Sequence, residues 1–511
     1  MFASAWLLAL AIGGQVPPAF HMADLKAVAA LKDERQKVID DESGRLARLA
    51  ETLAAAGKGE EAERVRKQVE PAEPKDGPTR FVPLSEVVPA AKPGLASVPT
   101  LPAEAEAIRS RTAKALFDLA GRAAAKERLA LADACLRGVL AREPDHAEAR
   151  RLMGYVRHDG GWATRFASQR LKEGWMRHPT YGWVNASWVA HLDRGELPGR
   201  SFKQGQPTEW LPAERADAIR ANVATPWSIT TEHFLIKANV PLAEAIAFVR
   251  RLEDFHDAFF ALMADVIGPE LHPLALRYRG AEPKKQAPHR VYYFADRQQF
   301  VAYLASKRVD AGDSLGYYDG FAGPNGKQAP APSLFFRDPG GEIKATETLY
   351  HEVSHQLLFE SAGASHFDRN PGNIWVFEGL GTYFETVEPQ ADGSLRIGGR
   401  VGARMARALE RLVSNREMIP LGRFIAMDKD VFRSEVGGAV YLHYAQAIAL
   451  ATFLMQYDHG RYRDPFLAYV RDAYKGRLHN PGTPSLAQRL GTLYPTLERQ
   501  LLTFLAESPG P

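Results

Sequence analysis

The segment ETLYHEVSHQLLFE, residues 347–360, carries His351 and His355 four residues apart, with Glu352 beside the first of them. On a helix of about 3.6 residues per turn, both imidazoles project from one face toward a single cation such as zinc. Glu352 lies about 100° round the helix from His351, so it cannot ligate in the same way but can serve as general base toward a water held there. Leu349, Val353, Leu357 and Leu358 give the helix the apolar side that a desolvated site requires. Twenty-three residues after His355 comes Glu378, the only acid in the run IWVFEGLGTYF. A lone carboxylate in apolar surroundings needs a cation, which makes Glu378 the third ligand, with an arginine partner as the alternative. Gly379 and Gly381 beside it remove bulk where this helix must approach the first. Two histidines, one glutamate and one water make the open arrangement of a catalytic zinc site.

HEVSH followed by WVFEGLGTYFE resembles the gluzincin metallopeptidases, the peptidase MA-like clan that includes thermolysin and aminopeptidase N. The later segment YAQAIALATFLMQYDHGRYRDPFLAYV is similar to the helix that follows in many uncharacterised bacterial peptidase MA-like domains. The likeness runs from about Trp227 to Ala506. It implies one Zn2+ per chain held by His351, His355 and Glu378, with Glu352 as base. It also implies a phenol, Tyr444 or Tyr441, that hydrogen-bonds the tetrahedral oxyanion, and a peptide or protein as substrate. One departure stands out. The thermolysin pattern has an aspartate four residues after the third ligand to orient a metal-binding imidazole, and this chain has Thr382 there, with Glu385 a further turn along the same face. His366 reads as a loop residue, and neither His443 nor His459 has a spacing that argues for a role. Gly379-Leu380-Gly381 lacks the third glycine of a dinucleotide fingerprint, and neither a phosphate-binding loop nor a GxSxG motif occurs.

The elements that must position these residues come late in a chain of 511 residues. Met1 to about residue 22 contains an apolar run of signal-peptide length, which predicts export to a periplasmic or extracellular location. Residues 23–70 read as an amphipathic helical pair, with Val28 and Leu31 on one helix and Leu46, Leu49 and Leu53 on the next. The proline-rich stretch 71–102 reads as an extended linker. Residues 103–226 form an accessory region, a helical hairpin of tetratricopeptide type followed by a tryptophan-rich part whose rings read as packing.

From residue 227 to 511 strands give way to helices, which predicts an α+β domain: a small mixed β-sheet followed by a helical half, as the gluzincin likeness also implies, preceded by the α-helical N-terminal region. WSITTEHFLIKANV reads as one strand and HRVYYFA as a second. GYYDG and SLFFRD read as two more around the loop 319–332. SLFFRD, just upstream of the motif helix, is expected to be the edge strand along which an extended peptide lies, with the loop folding over it.

Composition narrows the alternatives. A net charge of +3 argues against nucleic acid as the partner, and no long apolar span follows the N-terminus. The single cysteine, Cys135, permits neither an internal disulfide nor a thiolate zinc site. Two functions of different class remain. One is a zinc-dependent peptidase. The other is a peptide- or protein-binding scaffold that keeps a structural or degenerate zinc site and engages a partner through its N-terminal helices.

Overall fold

A computed structural model describes residues 18–70, 76–90, 101–309, 314–318, 331–337, 342–362 and 372–507. The chain is mixed α+β, with small sheets among many helices. The expected signal run up to Pro17, His366, and residues 319–330 of the expected lid lie outside the described residues.

The sheet nearest the motif has five strands in the order Trp227–Thr230, Phe234–Ala238, His289–Phe294, Ser333–Phe336 and Gly316–Tyr317. WSITTEHFLIKANV is therefore two strands rather than one. Thr231 closes a turn onto Phe234, its backbone N–H donating to the Phe234 carbonyl at 3.0 Å, and the halves pair antiparallel. Alternation survives within the second half, where Phe234, Ile236 and Ala238 are all buried. The next two pairings are parallel and the last antiparallel. Ser333–Phe336 is thus an interior strand bonded on both sides, and the expected edge strand is corrected to Gly316–Tyr317. All four residues of Ser333–Phe336 are buried, as a strand covered on both faces should be.

The motif helix spans Glu342–Ser361, and Glu378 lies on Ile374–Phe384, all eleven residues of which are buried. A helix apolar all round must be surrounded, and this one packs between the motif helix and the long helix Ala439–Gly460. By length and hydropathy that long helix would qualify to cross a membrane, but two-thirds of the relevant window is enclosed by the rest of the protein. Arg463–Tyr474 and Tyr494–Ala506 complete the helical half.

The N-terminal region divides differently from the expectation. Val28, Leu31, Leu46, Leu49 and Leu53 all lie on one helix, Pro18–Ala55, and the second helix is the short Gly59–Arg66. Ala103–Ala125 and Leu129–Arg142 form a helical hairpin, Gly138 lying against Leu116 at their crossing. Within the proline-rich stretch, Thr79–Phe81 pairs with Leu395–Ile397 and Val87–Val88 with Trp162–Ala163, so residues 76–90 are a strap across the molecule rather than a free linker. The tryptophan-rich part holds a repeated unit. Tyr155–His158 with Gly161–Thr164, and Trp175–His178 with Gly182–Asn185, are two antiparallel hairpins, each followed by a short helix. In both, an arginine lies over the tryptophan of the returning strand: Arg157 over Trp162 at 3.9 Å and Arg177 over Trp183 at 5.9 Å.

Candidate metal centre

His351 and His355 stand one turn apart, their ring centroids separated by 4.8 Å and their planes at 79°. Leu349, Val353, Leu357 and Leu358 are buried and seat the helix against the core. Glu378 enters from the second helix, with its Oε2 at 3.4 Å from His351 Nε2. One ligand atom from each of the three residues lies within 4.8 Å of the others. A tetrahedral site with bonds of about 2.1 Å has edges of about 3.4 Å, so the His351–Glu378 spacing already suits a divalent ion, and closing the remaining spacings by up to about 1.4 Å would bring in His355. The approach depends on Gly381. A Cβ there would sit 2.7 Å from His351 Nε2. Gly379 serves a different contact from the one expected. It faces the long helix, where a Cβ would sit 3.2 Å from the Ala447 carbonyl oxygen.

The surrounding charges sort the donors. Glu385 accepts a hydrogen bond from His351 Nδ1 at 2.7 Å, which turns Nε2 toward Glu378, and Arg404 Nε holds the other Glu385 oxygen at 2.9 Å. Glu385 thus supplies the orienting carboxylate that Thr382 cannot, since the Thr382 hydroxyl bonds back to the Glu378 carbonyl at 2.8 Å. Burial disfavours a charged His351 ring, yet hydrogen bonds to Glu378 and Glu385 hold its pKa well above the ordinary value. Burial, reinforced by the charge on His351, pulls His355 down to about 3, leaving it a neutral imidazole. Glu378 is 4% exposed, and burial alone would raise its pKa. The His351 hydrogen bond and the Arg433 charge outweigh that and keep it ionised. Glu352 behaves in the opposite way: burial first, then the neighbouring Glu378 charge, lifts it to about 7 against the pull of His351, the Tyr318 backbone N–H and Arg433.

Of the two tyrosines, Tyr444 lies at the site, where burial followed by the Glu378 charge pushes its phenol far above the ordinary value. Tyr441 is 56% exposed and lies under Arg407, with a guanidinium-to-centroid distance of 4.8 Å. His443 is committed elsewhere, donating from Nδ1 to the Phe432 carbonyl at 2.7 Å. His459 lies at the distorted end of the long helix with φ +57°. Sequence reasoning did not find Arg433, whose Nη2 donates to Glu378 Oε1 at 2.8 Å, nor Arg404. It also missed Tyr474, fully buried, with a hydroxyl that has no partner among the described residues and that feels the Glu378 charge. None of the three stands at a telling spacing from the motif.

A family model described as "Protein of unknown function (DUF1570)" matches residues 345–475. The matched span takes in His351, Glu352, His355, Glu378, Glu385, Arg433, Tyr444 and Tyr474. No curated protein and no solved structure matches the chain.

Proposed function

We propose that the protein is a zinc-dependent hydrolase of the gluzincin type that cleaves peptide bonds. The observation that carries this reading is the convergence of two imidazoles and a buried carboxylate, with Glu352 on the same helix outside that group of three. The donor set fits a divalent ion once His351 releases its Nε2 proton: one neutral imidazole, a second oriented through its far nitrogen by Glu385, and an ionised carboxylate. Zinc held by His351, His355 and Glu378 supplies Lewis-acid polarisation of the scissile carbonyl and of a water.

The chain's own groups do the rest. Glu352 takes the proton of the attacking water and delivers it to the departing amine, so that water is added across the C–N bond. Tyr444 donates its O–H to the carbonyl oxygen as charge develops there.

Protein purified without added metal is expected to contain about one zinc per chain, and His351→Ala to lose it. Glu352→Gln is expected to retain the zinc and to lose peptide hydrolysis by about two to four orders of magnitude. Zinc retention by the His351→Ala protein would remove the ligand assignment. Zinc binding with no hydrolysis of any peptide in a broad library would turn the reading to a structural site in a binding protein.

A further inference from the structure

We propose that Arg433 anchors a carboxylate of the substrate, so that the preferred peptides carry a carboxylate within one or two residues of the scissile bond. The inference rests on the peptidase reading above and adds a substrate class to it. Arg433 follows the helical turn Lys429–Phe432, which is fixed at both ends. Asp428 accepts from the Val431 backbone N–H at 2.8 Å, and Phe432 is fully buried with its carbonyl held by His443 at 2.7 Å. The guanidinium therefore issues from an anchored backbone, and one nitrogen donates to Glu378 at 2.8 Å.

A guanidinium has five N–H donors in a rigid fork. Among the described residues no second hydrogen bond to a carboxylate is recorded for Arg433, and its side chain stays 51% exposed although its partner Glu378 is 5% exposed. An arginine whose whole task was to neutralise a buried carboxylate would be expected to sink with it. This one stays half exposed at the rim of the centre, near Glu352 and Tyr444. Beside it the chain turns through Gly437 and Gly438 and presents Val436, 82% exposed, and Tyr441, 56% exposed. An apolar lip next to a cationic fork suits the end of a peptide, a side chain on one and a carboxylate on the other. Glu435, also exposed, shows no bond to Arg433.

The test uses zinc-loaded, full-length Glu352→Gln protein, in which turnover is blocked, and calorimetric binding of three N-acylated dipeptides. One ends in a free carboxylate, one is its amide, and one is an amide with glutamate as the last residue. Charge-assisted bidentate hydrogen bonds of about 1.5–3 kcal/mol predict that the free acid binds about 10- to 100-fold more tightly than its amide. Adding Arg433→Gln should collapse that ratio to within about twofold. The glutamyl amide tells a chain-terminal carboxylate from a side-chain one, according to whether it follows the amide or the acid. Equal binding of acid and amide before Arg433 is changed, or a ratio that survives Arg433→Gln, would overturn the proposal. Should Arg433→Gln release zinc, Arg433→Lys keeps a charge beside Glu378 without the fork, and an undiminished ratio there overturns it equally. Absence of hydrolysis by the native protein, with the acid preference intact, would count against the peptidase reading and leave the carboxylate anchor standing.

Discussion

Gly381 is the residue on which the geometry turns. An alanine there would place its Cβ at 2.7 Å from both Nε2 and Cε1 of His351, closer than real contacts allow. The ring is pinned on its other side by Glu385 and cannot simply rotate away without giving up that bond. Gly381→Ala is therefore expected to leave the fold intact, at an overpacking cost of about 1–3 kcal/mol, while weakening zinc binding by about 10- to 100-fold. Competition with a chromophoric chelator would measure it, and unchanged affinity would mean that His351 does not hold the metal from its present position. His351, Glu352 and His355 were legible in the sequence because their relation is local, set by one helical turn. Glu378 was legible because a single acid interrupts a run otherwise apolar. Arg433, Arg404 and Tyr474 were not, because each reaches the site from an element whose place is decided by tertiary packing.

Among the elements, strand order was the least legible feature. SLFFRD has the composition of a strand, but whether a strand lies inside a sheet or at its rim depends on partners far along the chain, and here the two residues Gly316–Tyr317 cover its outer side. The turn in WSITTEHFLIKANV was likewise hidden, because Thr231, Glu232 and His233 include neither a glycine nor a proline to mark it. That turn places His233 against the helix Leu242–Leu262, where its Nδ1 meets Glu253 Oε2 at 2.6 Å and its ring stacks on His256 at 3.7 Å. Burial opposes a charged His233, but the Glu253 carboxylate prevails and raises it to about 9. Burial would raise Glu253, and His233 in turn lowers it. A raised histidine contributes stability that is complete below its unfolded value of about 6.5 and is lost as pH climbs through its folded value. A lowered carboxylate contributes stability that is complete above its unfolded value and is lost in acid. The pair should therefore stabilise most at about pH 4.5–6.5 and fade toward pH 9. Because the His233 side chain is 39% exposed, solvent screening keeps the effect modest. Thermal unfolding from pH 6 to 9.5 should show the native protein losing more Tm than Glu253→Gln, and parallel curves would refute the pairing.

At the scale of the whole molecule, the N-terminal region is interlocked with the part that holds the site. The strap delivers Phe81 into the main core, where it is 6% exposed, and pairs Thr79–Phe81 with Leu395–Ile397. The Leu84 backbone N–H donates to Asp257 at 2.9 Å, and Asp76 accepts from the Asp458 backbone N–H at 2.6 Å. Arg137, from the helical hairpin, is nearly buried between Asp133 and Asp257 and lies over the Phe81 ring at 4.4 Å. Asp265 receives the Leu129 backbone N–H at 2.6 Å, and Lys32 pairs with Asp464 at 2.7 Å. A fragment limited to residues 227–507 would expose the seat of Phe81, worth about 1.5–3 kcal/mol, and leave Asp257 and Asp265 without their partners at about 1–3 kcal/mol each. For a domain of that size a loss of several kcal/mol lowers Tm by about 10 °C or more. The fragment is expected to unfold well below the full chain or without a cooperative transition, and a fragment from residue 76 onward to recover most of the difference, because it regains the strap and Arg137 together. Calorimetry of the three proteins decides the matter: equal Tm values for 227–507 and the full chain would show that the site-bearing part folds by itself and that the strap and hairpin only rest on it.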